Sequence, residues 1–552
     1  MVGAMTWDQR EFLERLKGAV ESFDREGASR LCDEMIGELQ RGTVLEDGIG
    51  RKVLGLLRRK AYFGQMERVA EALLFTDQDD VQIRRQYAQA LIDQGKLTAA
   101  VYVLESLAER TERVDPNENA EARGLLGRVY KQLYINVALF DPGAVLLPLN
   151  RLNLQRAIDF YLGVYRTAPA EHLWHGINAA ALAARAQRDH VPLREAIDCK
   201  ALGREILASI EARKEPDAWD LATAGEACLV LGDHDKALQW IARYVVKPEA
   251  DAFELASSLR QLKEVWGLAI DAMPGSLLLP LLQSQLLQRR GGRLDFGDGE
   301  ANLTIKKTEE HAPTLEKILG KEGVVSLAWY RLGLDRTQAV VKILDKLGDG
   351  FGTGFLIRGG DLVPAFGDTF VVLTNAHVMS DDPAVQAKYG SLAPEDAKVA
   401  FEANDAAGQR PFAVKKLLWS SPPDKLDATL FEIDPPLTSD KPYAVAKRLP
   451  PVDGVQKVYV IGHPKGGGLS ISLNDNLFLD CDDCLIHYRA PTEGGSSGSP
   501  VFNQQWDLIG LHHAGGTAMR RLRGQEGTYA ANEGIWIQRI IQELAVSGLQ
   551  PS

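Results

Sequence analysis

Three residues of the 552-residue chain are of the types, and in the settings, that nucleophilic catalysis requires: His377 in VVLTNAHVMS, Asp427 in KLDATLFEI and Ser497 in APTEGGSSGSPVFN. A serine hydroxyl is a weak nucleophile at its free pKa. An imidazole must accept its proton, and a carboxylate must hold that imidazole in one tautomer and stabilise its charged form. The three residues occur in the order His, Asp, Ser, with gaps of 50 and 70 residues. His377 lies just past a buried apolar run, Asp427 heads another, and Ser497 sits in a glycine-rich turn. Taken singly, each setting has a purely structural explanation; the combination supplies the three roles of an activated serine nucleophile.

The order is that of chymotrypsin and is distinct from those of subtilisin and the α/β-hydrolases. With it go GTGFLI, TNAHV, DATL, IGHP and GSSGSPVF, which resemble the trypsin-like serine proteases, especially their glutamyl-endopeptidase and HtrA-type branches, over about residues 335–548. The resemblance implies Ser497 as nucleophile, His377 as general base and Asp427 as the acid that orients it. It also implies an oxyanion hole from the amides of Gly495 and Ser497, where donors must face the charge that develops in the tetrahedral intermediate. Gly494 and Gly495 suit a backbone that turns tightly against a substrate. In the glutamyl-endopeptidase branch, a Ser or Thr before the nucleophile and a His on the I-G-x-H strand contact an acidic substrate side chain. Thr492 and His512 match those places. The match departs from the family after His512, where His513 and Ala514 intervene before the glycine pair. Thr492, His512 and His513 are therefore assigned to the S1 pocket, which is expected to take either an acidic residue or a small or apolar one. Pro491 stands where trypsins hold an aspartate, which argues against a basic one.

Short β-branched runs separated by turns must position these residues: QAVVKIL, GFLI, FVVLT, KVAFEA, AVKKLLW, ATLFEI, KVYVIG, LIHYR and DLIGLH. An amphipathic helix, IWIQRIIQEL, closes the chain. The expectation for residues 335–552 is an all-β double barrel of the chymotrypsin type with a C-terminal helix. Residues 288–334, rich in glycine and mixed charge at their start, read as a linker with one short helix.

Residues 1–287 carry helical periodicity instead. Ala88, Leu91, Gly95 and Ala100 stand at offsets 0, +3, +7 and +12, and Gly225, Cys228, Gly232 and Ala237 repeat them. Small residues at the outer offsets let two helices approach, and the glycine at +7 ends the first in a left-handed turn. A third copy uses Gly127, Tyr130 and Ala157, with an insertion near FDPGAVLLP. The pattern resembles the tetratricopeptide repeat. LLGRVYKQLY, AIDFYLGVY and GINAAALAA are also similar to the repeat region of apoptosis signal-regulating kinases, over roughly residues 80–250. Repeats of this kind imply a groove that binds a protein or small-molecule signal.

A formal charge of −12, from 63 basic and 75 acidic residues, argues against a nucleic-acid or anionic-membrane partner. No stretch reads as a signal peptide or membrane span, and five scattered cysteines make a disulfide framework improbable, so a cytoplasmic location is expected. Cys481 and Cys484 form C-D-D-C with His487 beyond, a pattern too short of ligands for zinc. No cofactor or metal is called for. The rival reading is a non-enzymatic scaffold whose barrel is a second binding module.

Overall fold

The computed structural model describes residues 7–21, 25–289, 292–297, 299–404, 408, 410–437, 441–472, 476–489 and 495–549. They form two compact units, Met1–Leu268 and Ala269–Ser552. The first is all helical. Helix Val81–Asp93 ends before Gly95, whose φ is 76°, and Leu97–Thr111 returns; Ala218–Leu231 ends at Gly232, φ 79°, and His234–Val245 returns. Ala88, Ala100 and Ala237 are fully buried. A Cβ at Gly225 would stand 2.6 Å from the Ile241 side chain, so a larger residue here would require Ile241 to shift. The third copy pairs Pro116–Phe140 with Pro148–Thr167 across a short turn, Pro142–Leu146. Aspartates start these helices: Asp80, Asp115, Asp217 and Asp233 each accept from the amide three residues on, a cap worth about 1 kcal/mol.

Successive pairs share a polar seam. Lys131 Nζ reaches Asn178 Oδ1 at 3.1 Å and Gln261 Oε1 at 2.9 Å, Trp266 Nε1 donates to Glu226 Oε2 at 2.8 Å, and Arg185 Nη1 donates to the Glu264 carbonyl at 2.6 Å. Helix Ala252–Glu264 is thereby tied to the first helices of three pairs.

The second unit is where the predicted strands lie. It opens with β1 (Arg293–Asp295), followed by β2 (Val340–Leu344), β3 (Gly350–Arg358), β4 (Phe370–Thr374), β5 (Lys398–Phe401), β6 (Phe412–Ser421) and β7 (Ala428–Asp434). Strands β2 to β7 close a barrel in the order β2-β3-β4-β7-β6-β5. Next come β8 (Tyr459–Gly462), β9 (Ser470–Ser472), β10 (Phe478–Cys481), β11 (Leu485–Tyr488), β12 (Pro500–Phe502), β13 (Leu508–Arg520) and β14 (Thr528–Trp536). With β1 they make an eight-stranded sheet in the order β1-β9-β8-β12-β13-β14-β11-β10. Helix Ile537–Val546 closes the chain and buries Ile537, Ile540 and Leu544. This is a chymotrypsin-like β unit with a C-terminal helix, which follows the helical repeat unit in the chain.

Residues 288–334, read from the sequence as a linker, hold β1, helix Glu300–Glu310 and most of helix Ala312–Thr337. The last docks through aromatic rings: Trp329 lies 5.1 Å from Trp506, and each indole donates to a carbonyl, Trp329 to Gln504 at 2.9 Å and Trp506 to Trp329 at 3.0 Å. Helix Gly275–Leu286 belongs to the same unit, and its Gln283 accepts from the buried Tyr330 hydroxyl at 3.0 Å.

Candidate active site

Strand β4 carries the chain past Thr374 and Asn375 to His377, and Asp427 immediately precedes β7, its neighbour in the barrel. The pairing of β4 with β7 brings the two residues together. His377 Nδ1 lies 2.6 Å from Asp427 Oδ2, and the His377 amide donates to Oδ1 at 3.0 Å. Asn375 Nδ2 adds a bond to the Asp427 carbonyl at 2.8 Å. Asp427 has φ 44°, a left-handed conformation that aspartate tolerates better than most residues and that is found at strained functional turns. Its side chain is 2% exposed and that of His377 26%, so the acid is shut away and the base is reachable. Burial pushes the Asp427 carboxyl up; hydrogen bonds from His377 and His513 outweigh it and hold the group far below the usual range.

Ser497 reaches this end of the barrel on a loop laced to β3. The Thr353 amide donates to the Ser497 carbonyl at 2.9 Å, and Thr353 Oγ1 donates to the Gly495 carbonyl at 2.9 Å. The same Thr353 accepts, at its carbonyl, from Thr374 Oγ1 at 2.7 Å, three residues before His377. Gly495 and Gly498 take φ of 88° and 87°. A Cβ at Gly498 would fall 1.9 Å from the Thr353 carbonyl oxygen, so glycine is the residue that lets this loop close on β3. Neither the Gly495 nor the Ser497 amide donates to another described residue.

Of the residues assigned to the S1 pocket, Thr492 lies outside the described residues, as do Pro491 and Gly494. His512 is buried on β13, with Nδ1 2.7 Å from the Tyr488 hydroxyl. Burial, then the neighbouring His513 and His377, push it down to about 3, so its ring is neutral. His513 stands elsewhere. Its Nδ1 is 3.1 Å from Asp427 Oδ2 and its Nε2 is 2.8 Å from Glu533 Oε1, which leaves no ring nitrogen for a substrate side chain. Sequence reasoning missed Glu533 altogether. The one signal that bore on it was the extra residue after His512: β13 and β14 pair His512 with Gly534 and Ala514 with Glu533, so His513 is the residue of a β-bulge. Cys481 and Cys484 are free thiols flanking the β10–β11 turn.

Residues 352–511 match the family model of the trypsin-like peptidase domain. The chain carries a trypsin-like peptidase domain. Residues 62–183 match the model named Tetratricopeptide Repeats-Sensor, so both sequence readings of the two units hold at this level. The chain is 27% identical over 230 residues to the uncharacterised protein y4fB of Sinorhizobium fredii; the match covers 38% of this chain and 33% of that protein, so it spans about a third of the relative. Among solved structures it is similar to the Rv3671c protease in its inactive form, at 20% identity and a TM-score of 0.26, over 39% of this chain and 92% of that one. The active form of that protease, from M. tuberculosis, gives 19% and 0.27, over 40% and 85%. Among the described residues no helix is long and apolar enough to cross a membrane.

Proposed function

We propose that residues 269–552 form a serine endopeptidase in which Ser497 attacks the scissile carbonyl, His377 takes its proton and then passes it to the leaving amine, and Asp427 holds the imidazole. The observation that carries this reading is the pair of hydrogen bonds between Asp427 and His377, one carboxylate oxygen meeting the ring and the other the amide, at 2.6 and 3.0 Å. It fixes both the tautomer and the orientation of the ring, which is what a general base facing a hydroxyl needs. The undonated amides of Gly495 and Ser497 are the groups that would meet the oxyanion.

For specificity, in the tautomer of His512 whose Nδ1 accepts from the Tyr488 hydroxyl, Nε2–H would be a donor, which favours acidic side chains at P1, as in the glutamyl-endopeptidase branch. The repeat unit would dock the substrate or sense a protein or small-molecule signal, in the manner suggested by its likeness to the repeats of apoptosis signal-regulating kinases. Free cysteines suit a reducing, cytoplasmic setting, and a role in bacterial signalling or defence is consistent with this pairing. The test is an active-site serine probe. A fluorophosphonate should label the full chain at Ser497, and Ser497→Ala should abolish the labelling; a wild-type chain that resists the probe and cleaves no peptide library would leave the barrel a binding module.

A further inference from the structure

Behind Asp427 runs a line of ionisable side chains that a three-residue mechanism does not use. Asp427 Oδ2 is shared by two histidines, His377 at 2.6 Å and His513 at 3.1 Å. His513 Nε2 meets Glu533 Oε1 at 2.8 Å, Glu533 Oε2 meets His487 Nε2 at 2.6 Å, and His487 Nδ1 meets the Tyr529 hydroxyl at 2.7 Å. Asp427 and Glu533 are 2% and 15% exposed at their side chains, and His487 is fully buried, so water does not substitute for these bonds.

The geometry dictates a charge. Ionised carboxylates only accept hydrogen bonds, so a histidine between two of them must donate from both ring nitrogens, and that histidine is an imidazolium. A cation bonded to Asp427 alone would draw negative charge away from His377. Glu533 returns it: the trio of Asp427, His513 and Glu533 carries the same single negative charge as an isolated aspartate. The bulge that frees His513 from the β13–β14 ladder is what turns its ring toward both acids.

On the serine-protease reading above, we propose that His513 and Glu533 are positioning residues for the catalytic aspartate, with the imidazolium of His513 clamped between two carboxylates so that Asp427 keeps the orientation in which it holds His377. Burial works against this charge, and the bonds to Asp427 and Glu533 overcome it, holding His513 up at about 9. Glu533 is raised by burial and lowered further by His487 and His513, to about 2. The other titratable groups around the clamp are His377, His512 and Tyr488, with His487 and Tyr529 beyond Glu533 and Arg521 over the Tyr529 ring.

Loss of the His513 proton would set its lone pair against a carboxylate and free Asp427 to turn. The profile of kcat/KM against pH should therefore show an alkaline limb near pH 9. Glu533→Gln removes one of the two acids and should move that limb down by about one unit or more. His513→Ser supplies a neutral donor and should abolish the limb, with the loss in kcat and not in KM. All three are measured on the full chain with a chromogenic peptide. In parallel, ¹³Cε1-histidine spectra of the Ser497→Ala protein should show the His513 ring protonated at pH 8, a readout that needs no activity. Superimposable profiles for the three proteins, or a His513 that titrates near 6.5, would overturn the proposal. A wild-type chain that does not react with a fluorophosphonate defeats the protease reading and the positioning role with it, while the spectra still decide whether the clamp exists.

Discussion

Asp427 is asked to serve two histidines, and that raises the cost of changing it. Asp427→Asn should lower kcat by at least about 10⁴-fold, because the amide places a donor where two N–H groups already point. Steady-state kinetics with unchanged thermal unfolding would confirm that chemistry, not folding, is lost; a variant within tenfold of wild type contradicts the assignment. The histidines of this unit also set its stability. His513, held at about 9 against an ordinary 6.5, contributes fully below pH 6.5, and its share is lost as pH rises through 9. His512 and His463, pushed down to about 3 chiefly by burial, contribute fully above pH 6.5 and lose their share as pH falls toward 3, because the unfolded chain takes up protons that the folded one refuses. Between pH 5 and 9 the barrel unit should be most stable near pH 6.5, with up to two histidine protons on the acid side against one on the alkaline side, at about 1.4 kcal/mol per pH unit for each; below pH 5 the depressed carboxyls of Asp427 and Glu533 steepen the acid loss. Hydrogen exchange of the β7 and β13 amides, corrected for intrinsic rates, reads this; a flat profile from pH 5 to 9 contradicts it. His377, Asp427 and Ser497, the proposed triad, stand out in the sequence because each sits in a short, self-contained local pattern. Glu533 could not, because its role comes from a bulge that offsets two strands by one residue, and no local pattern records which acid lies across it.

At the level of elements, the strands the sequence displayed were those with β-branched apolar runs, and all nine predicted runs contain a strand. The ones it hid were β1, β9 and β12, each three residues long, the four-residue β10, and β14, whose TYAANEGIW is too polar and glycine-bearing to alternate visibly. The helical pairs were legible because their constraint is local: one glycine to turn and small residues to touch. Helix Ala312–Thr337 was not legible as part of the barrel unit, because what recruits it is Trp506, some 170 residues downstream. A Cβ at Gly333 would lie 2.4 Å from the Trp506 ring, and Arg336 Nε bonds the Trp506 carbonyl at 3.0 Å. Gly333→Val should therefore displace that ring and destabilise the unit by about 1–3 kcal/mol. The Trp506 fluorescence transition in urea should move to lower denaturant, whereas Gly18→Val, at a position with no atom near its would-be Cβ, should leave it in place.

For the whole molecule, the open issue is what the helical repeats do for the barrel. Digestive relatives are switched on when a freed N-terminal amine pairs with an aspartate just before the nucleophile; here Ser496 holds that place and offers no charge to an ammonium. If the oxyanion loop requires ordering, contacts must order it, and the repeat unit, were it to bind a ligand as proposed, would be a source of two states. The compact units divide at Leu268, so the comparison is between the full chain and one beginning at Ala269. A chain beginning at residue 335 would lose β1, the Trp329 contact and Tyr330, and should aggregate; the chain from Ala269 keeps them and should fold. With a chromogenic peptide too short to reach the repeats, gating predicts that the two folded chains differ in kcat/KM, or that the full chain alone changes when a partner is added. Equal rates that no partner alters would leave the repeats a docking arm, whose loss would then slow cleavage of protein substrates while leaving small peptides untouched.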